Sequence, residues 1–258
     1  MCFGREVTVA DLFLLLVTGV VAGIISTVAS LASVVSYPVL LALGLPPLSA
    51  NVTNTVSLLF TGAGAALGSR PELAGQGGRI RRLGLVTALG GAAGATLLLL
   101  TPARTFEAAA PVLIGAASLL LLLQAAAGPE TGTGHADRER NPFLIAALFC
   151  VAVYVGYFGA AGGILLLVVL TTMLTEPLAR TNAIKNVVSG LANTVAAVAF
   201  ALFGPVRWAA VLPLAAGFLI GGRIGPVLVR YLPARLLRVV IGLGGIGLAV
   251  KLGLSAYD

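Results

Sequence analysis

Charge is the scarcest property of this sequence. Of 258 residues, only 10% are Asp, Glu, Lys or Arg, against about 25% in soluble domains. A soluble enzyme is therefore a poor reading. So is a nucleic-acid partner, because runs of four to eight basic residues are absent and the net charge of +7 is spread along the chain. Histidine is nearly missing. His135 is the single copy, in the polar segment Gly128–Asn141, so neither a Ser/His/Asp constellation nor a His-based metal site can form inside an apolar core. The chain is read as a non-enzyme without a cofactor. Cysteine is confined to Cys2 and Cys150; two distant thiols make no metal or redox pattern, and no disulfide is expected. Carboxylates are few, and Asp11, Glu107 and Glu176 stand near the ends of apolar segments. No acidic proton relay is visible, so a coupling ion, H+ or Na+, cannot be read.

What is present is apolar. Hydrophobic residues make up 59% of the chain and mean hydropathy is +1.06. The apolar segments run roughly over 8–45, 49–68, 80–100, 105–127, 143–175, 182–203, 207–228 and 234–254. About 20 residues cross a bilayer as a helix, so six of the eight fit one crossing each. The first and fifth are too long for one helix and too short for two full ones. Small and polar residues interrupt both, over Gly23–Ser36 and over Gly156–Gly163. Each is read as a hairpin that enters the membrane and returns; a single kinked crossing is the simpler alternative. Positive charge favours the hairpins. They place Arg70, Arg79, Arg81, Arg82, Arg138, Arg140, Arg180, Lys185, Arg223, Arg230, Arg235 and Arg238 at one side and Arg5, Arg104, Arg207 and Lys251 at the other, twelve against four. Single crossings split them nine against seven. Lys and Arg concentrate on cytoplasmic loops. Arg5 before an apolar run, with Ala29-Ser30 beyond it, could pass for a signal peptide. That reading is rejected because the segment after Gly19 has an internal counterpart after Ala152.

The chain repeats itself at an offset of roughly 131–133 positions. Leu100-Thr101-Pro102-Ala103-Arg104 recurs as Tyr231-Leu232-Pro233-Ala234-Arg235, Gly90, Gly91 and Gly94 recur as Gly221, Gly222 and Gly225, and the run from Asn54 recurs from Asn186. The expected architecture is an all-α polytopic membrane protein, one domain over 1–258. Repeat one covers about 7–127, a linker 128–142, and repeat two about 143–254. Each repeat is a broken helical hairpin plus three transmembrane helices. An odd number of crossings per repeat makes the two inverted, a frequent plan for secondary transporters.

Lys185 is the sharpest single signal. It stands near the start of an apolar helix, and ionisable residues in such places mark pathways or partners. Asn182, Lys185, Asn186, Ser189 and Asn193 share its helical face. A cation among amides and hydroxyls suits a small oxyanion. The competing reading has Lys185 snorkelling to the interface and the amides holding helices together. The matching helix of repeat one offers Asn51, Asn54, Thr55, Ser57 and Thr61, with Thr53 in the place of the lysine. Gly159, Gly162 and Gly163 leave backbone open to a ligand, and a half-helix starting near Gly162 would aim its N–H groups at an anion. Tight helix packing would use the same glycines. Gly242, Gly244 and Gly247 match a dinucleotide fingerprint only formally, since no βαβ unit surrounds them. Asn51-Val52-Thr53 fits a glycosylation sequon only weakly, because it enters the membrane.

These motifs, in this paired order, resemble the TauE/SafE family of sulfite exporters. The first copy runs from Gly23-Ile-Ile-Ser-Thr-Val-Ala-Ser30 through Tyr37-Pro38 and Leu45-Pro46 to Ser49-Ala50-Asn51-Val52-Thr53-Asn54. The second runs from Gly156-Tyr-Phe-Gly-Ala-Ala-Gly-Gly163 to Pro177 and Thr181-Asn182-Ala183-Ile184-Lys185-Asn186. Ala29–Ser33 departs from the family, which usually has glycines there. The resemblance implies a permease of the bacterial inner membrane for a small organic or sulfur-containing anion such as sulfite or a sulfonate, with an anion-contact role for Lys185. The expected substrate cradle is Lys185, Asn186, Ser189, Asn182, Asn51, Asn54, Ser57, Gly159, Gly162 and Gly163, working by alternating access. An anion channel and a non-transporting membrane scaffold are the alternatives. The expected partners are the anion and the bilayer, with a homodimer as a candidate assembly.

Overall fold

The computed structural model describes residues 8–29, 32–127, 136–160 and 162–228, with scattered positions between 239 and 254. Cys2, His135, most of the linker, the Tyr231–Arg235 turn and most of the last expected helix lie outside the described residues. The described chain is helical, with no strand. In order come α1 (Val9–Ala29), α2 (Ala32–Ala42), α3 (Pro47–Gly68), the single turn α4 (Arg70–Leu73), α5 (Gly77–Leu100), α6 (Ala103–Ala127), a 3-10 turn (Ala136–Arg140), α7 (Pro142–Tyr157), α8 (Gly162–Met173), α9 (Leu178–Phe203) and α10 (Trp208–Leu228). Four stretches, 9–27, 77–100, 180–203 and 208–225, are long and apolar enough to cross a membrane.

Local chemistry sets the helix ends. Asp11 accepts from the Thr8 N–H (3.0 Å) and hydroxyl (2.8 Å), and its own N–H donates to Thr8 Oγ1, a cap of the kind that satisfies the orphan donors of a first turn. Asn141 caps α7 by accepting from the Phe143 N–H at 2.9 Å, with Pro142 in the first turn. Pro46 and Pro177 precede α3 and α9 in the same extended conformation. Proline before or within a first turn loses nothing there, because those N–H groups have no intrahelical partner.

Each long apolar segment holds two described helices. In the first, α1 is described to Ala29 and α2 from Ala32, and residues 30–31 lie outside the described residues; the second is interrupted after Tyr157, where Phe158 leaves the helix and Gly159 has φ +75. Helix directions follow from the contacts. Gly19 of α1 lies against Gly217 of α10, and Gly23 lies against Gly222, so α1 and α10 run parallel. Ser49 reaches the Pro205 carbonyl just before α10, and Gly64 lies against Gly222 and Arg223, so α3 runs the same way. Since α1 and α3 are parallel, α2 between them returns, as the hairpin reading expects. The mirror statement holds for α5, α7 and α9. Gly90 lies against Ala152, and Gly94 against Tyr157. Thr87 donates to the Val188 carbonyl at 2.9 Å, and Gly91 lies against Ala192. Those three helices run parallel to one another and, because α9 is joined to α10 by a tight turn, opposite to the first three.

The pairing is reciprocal: α10 packs on α1 and α3, and α5 packs on α7 and α9. Backbones touch at these contacts. A Cβ on Gly91 would sit 2.5 Å from the Ala192 carbonyl oxygen, closer than any side-chain carbon is tolerated. Two apolar clusters fill the interior, one around Phe106, Phe200 and Phe218 and the other around Leu83, Leu148, Leu166 and Val188.

One end of the bundle carries an ion network. Arg79 of α5 bonds Glu139 of the 3-10 turn and, at 2.9 Å, Glu176 of the α8–α9 loop. Arg82 bonds Glu139 at 2.7 Å and Arg180 bonds Glu176 at 2.8 Å. Both glutamates are partly covered, so the network ties the linker to both halves at the arginine-rich face. Hydrogen bonds from Arg79 and Arg180 hold the Glu176 carboxyl below its ordinary value of 4.5. A lowered carboxylate contributes stability that is complete above its unfolded value and is lost as pH falls through the folded one. A Glu176→Gln variant is therefore expected to be less stable than the parent at pH 7. In thermal unfolding against pH, the gap closes progressively below pH about 4; a gap independent of pH would show that the ion pairs contribute nothing. The helix directions also place residues 204–207 opposite the arginine-rich face. Single cysteines at Pro205 and at Arg138 should label from opposite sides of sealed vesicles, and labelling of both from one side would contradict this arrangement of the helices.

Candidate functional site

A cavity of about 70 Å³ lies where α1, α2, α3, α7, α8 and α9 meet. Sites of that volume hold a few waters or one compact ligand. Lys185 lies about 10 Å along α9 from its start and lines the cavity with Asn186, Ser189, Gly190 and Asn193 of the same helix. Its side chain is 2% exposed. The cavity wall opposite is Leu58, Thr61, Gly62 and Ala65 of α3; Ser26 and Thr27 come from α1, Ser33 from α2, and Gly159 and Gly163 from the α7–α8 break. Among the described lining residues Lys185 is the charged one, and the remainder are hydroxyls, amides and small apolar groups. Ala32 and Val155, one from each apolar cluster, close the wall.

The hydroxyls are poised differently. Thr27 donates to the Ile24 carbonyl at 2.8 Å, which leaves its oxygen to accept. Ser33 accepts from Asn54 Nδ2 at 3.0 Å, which leaves its proton to donate. Thr61 is 5% exposed, and its Oγ1 has no hydrogen-bond partner. An unsatisfied buried hydroxyl is costly. Here the orphan lies on the cavity wall, where an occupant can satisfy it.

Of the residues expected in the cradle, Lys185, Asn186, Ser189, Gly159 and Gly163 line the cavity. Asn54, Asn51, Ser57, Asn182 and Gly162 do not. Asn54 stands one contact behind the wall, donating to Ser33 and accepting from Ser36 at 2.5 Å. Asn51 donates to the Tyr157 carbonyl at 3.1 Å, satisfying the frayed end of α7 inside the apolar interior, where water cannot. Ser57 turns its hydroxyl back onto the Thr53 carbonyl at 2.9 Å. Gly162 opens α8, and its N–H donates to the Gly159 carbonyl at 3.2 Å. Asn51, Asn54, Leu58, Thr61 and Ala65 form one stripe along α3. The returning α2 and the end of α7 cover its first turns, so only the later ones reach the cavity. Ser26, Thr27, Ser33, Thr61 and Asn193 were not in the expected cradle. Asn193 is two turns beyond Lys185 on the same face, and Thr61 two turns beyond Asn54, so helical spacing carried a signal for both. Ser26, Thr27 and Ser33 depend on how α1 and α2 fold back, which spacing does not show.

The break itself is held open by aromatic groups. Tyr154 donates its hydroxyl to the Ala160 carbonyl at 2.7 Å, while its own carbonyl accepts from the Phe158 and Gly159 N–H groups. Phe158 meets Tyr37 edge-on with centroids 5.7 Å apart, and Phe106 lies 6.0 Å from Tyr157. Phe106 is near the start of α6, so this cluster stands on the arginine-poor side of the cavity.

Broken helices with small and polar residues at the break, and a buried cation beside it, define a polytopic membrane protein built around an internal polar site. Comparison with known proteins gives the group. The family model for the sulfite exporter TauE/SafE matches residues 15–252, and the chain belongs to that family of membrane transporters. It is 26% identical over 236 residues to the "Probable membrane transporter protein YfcA" of Escherichia coli K12, covering 90% of this chain and 85% of that protein. It is 24% identical over 240 residues to the "Probable membrane transporter protein ORF9" of a Sinorhizobium species, covering 92% and 90%. No solved structure gives a significant match.

The orphan hydroxyl gives a direct test. Thr61→Val keeps the shape and removes the unsatisfied group, so the empty protein should be as stable as the parent or up to about 1 kcal/mol more stable. Binding of a cavity anion, followed with sulfite by thermal shift, should weaken about tenfold, as loss of one hydrogen bond to a charged group implies. Equal sulfite binding by both proteins would take Thr61 out of the site.

Proposed function

We propose that the chain is a secondary transporter that carries a compact oxyanion, of the sulfite or small-sulfonate class, across the bacterial inner membrane by alternating access. The observation that carries the reading is the burial of Lys185 in a polar cavity lined by hydroxyls, with the Thr61 hydroxyl left for an occupant. Lys185 brings a basic group to the wall of this polar cavity, and a charged group in such a place marks a pathway or a ligand contact. The lysine supplies charge, Asn186 and Ser189 supply neighbouring donors, and Thr61 and Ser33, whose hydroxyl protons are uncommitted, complete the first contacts. The volume favours an ion as small as sulfite; a longer sulfonate requires a wider state of the cavity.

Two inverted repeats, about 7–127 and 143–254, would supply the moving parts. The reciprocal packing of α5 and α10 and their opposite directions support that assignment. Clustering of arginines with the α4–α5, linker and α8–α9 connections supports that face as cytoplasmic. The Arg79–Glu139–Glu176 network bridges the halves there, and alternating access would have to break it when the cavity opens to that side.

The test is anion-dependent stability of the purified protein and of Lys185→Met, followed by uptake into liposomes. A ligand that binds only the folded state at a hundred times its Kd adds about 2.7 kcal/mol. Sulfite or a small sulfonate should stabilise the parent, leave Lys185→Met unchanged, and enter vesicles with saturable kinetics. Equal stabilisation of both proteins would place the site elsewhere, and flux that never saturates would make the protein a channel.

A further inference from the structure

A second concavity, unrelated to the Lys185 cavity, opens at the arginine-rich end between α5 and α9. It is a shallow, open groove along α5 rather than an enclosed site. Its two ends differ chemically. The upper end is formed by Gly77, Gly78, Arg81 and Arg82 in the first turns of α5; the lower end is formed by Gly84, Leu85, Ala88 and Leu191. From Gly77 to Ala88 the groove descends about 16 Å along the helix axis, toward the middle of the apolar zone. Gly84 is buried beneath Leu191, since a Cβ there would meet Leu191 Cδ1 at 2.6 Å, so Leu191 lies close over α5 and forms the floor of the groove.

The charge at the upper end is suited to an anion. Both arginines are exposed. Arg82 shares its guanidinium with Glu139 at 2.7 Å, whereas Arg81 has no ion pair among the described residues. The first N–H groups of α5 point the same way and have no intrahelical acceptors. Below them the surface is aliphatic, with Leu85 63% exposed and Leu191 38% exposed. A soluble anion would use only the top of such a groove and leave the apolar part wet. A negatively charged headgroup joined to an acyl chain matches both ends at the depth where each end stands.

We propose that this groove is a binding site for an anionic phospholipid, its phosphate held by Arg81 and Arg82 and one acyl chain lying over Gly84, Ala88 and Leu191. Basic pockets on the membrane-facing side of transmembrane helices recognise such headgroups, at about 1 kcal/mol per arginine. The lipid would rest beside the Arg82–Glu139 pair, so its presence would bear on the network that joins the halves.

Native mass spectrometry of the full chain in detergent tests the assignment, with phosphatidylglycerol and phosphatidylcholine of identical acyl chains as probes. The parent should retain phosphatidylglycerol in preference to phosphatidylcholine. Arg81→Gln, an exposed change that breaks no described ion pair, should weaken phosphatidylglycerol retention about fivefold and leave phosphatidylcholine unaffected. Ala88→Phe should block the groove and lower both. Equal retention of the two lipids by the parent, or equal phosphatidylglycerol retention by the parent and Arg81→Gln, overturns the proposal. A change of oligomeric mass in Ala88→Phe with lipid retention unaltered would assign the groove to a second copy of the chain and also overturns it. If Ala88→Phe fails to fold, Arg81→Gln decides alone.

Discussion

Two helices from different parts of a chain can meet backbone to backbone only where neither puts a side chain between them, and most of this structure depends on that contact. In a lipid environment, apolar burial hardly distinguishes a protein neighbour from an acyl chain, so close packing must hold the helices together. Gly19 and Gly23 on α1 face Gly217, Gly221 and Gly222 on α10, and Gly90, Gly91 and Gly94 on α5 face α7 and α9. The two contacts together make α5 and α10 exchange places: each packs mainly on helices from the other side of the linker. One face of each helix pair, α1–α2 and α7–α8, is thereby packed against protein, and that cover is what makes the break after Tyr157 tolerable.

The site is a by-product of that cover. A helix interrupted in an apolar interior leaves backbone groups that only other protein groups can satisfy. Asn51 answers the Tyr157 carbonyl, Tyr154 answers Ala160, and Gly159 adopts the left-handed turn that lets the chain reverse. The space kept open beside these interruptions is the cavity that Lys185 enters. Several polar residues that look like ligand contacts are therefore structural. Asn54 holds α2 through Ser33 and Ser36 and Asn51 holds the end of α7, while the cavity wall is built by hydroxyls, the amides of Asn186 and Asn193, small and apolar residues and one lysine.

The arginine-rich face is a second organising feature. Arg79 and Arg82 on α5, Glu139 in the linker, Glu176 in the α8–α9 loop and Arg180 in the first turn of α9 form one network across otherwise separate elements. An exposed pair contributes little alone, but this network joins the two halves at one end and has no described counterpart at the other. The aromatic cluster of Tyr37, Phe106, Tyr157 and Phe158 occupies the other side of the cavity. The two ends of the bundle are thus held by different physics, ionic at one and apolar at the other.

Much of the fold was legible from local pattern. Segment length and hydropathy located α3, α5, α6, α9 and α10 to within a few residues, and small residues, glycines in the fifth segment and hydroxyls in the first, marked where each long segment is interrupted. The break near Gly159 and the start of α8 at Gly162 followed from composition, because few other residues permit that turn. The face bearing Lys185, Asn186, Ser189 and Asn193 followed from helical spacing alone. Spacing could not tell which turns of a polar stripe meet a cavity and which are covered. On α3 the expected cradle took Asn51, Asn54 and Ser57 and passed over Thr61; the return of α2 over the first turns left Thr61 as the polar α3 side chain on the wall. Helix periodicity is a property of neighbours along the chain, so the sequence by itself determined which residues share a face. What that face meets is set by packing between distant segments, so the tertiary structure alone decided which residues became the site.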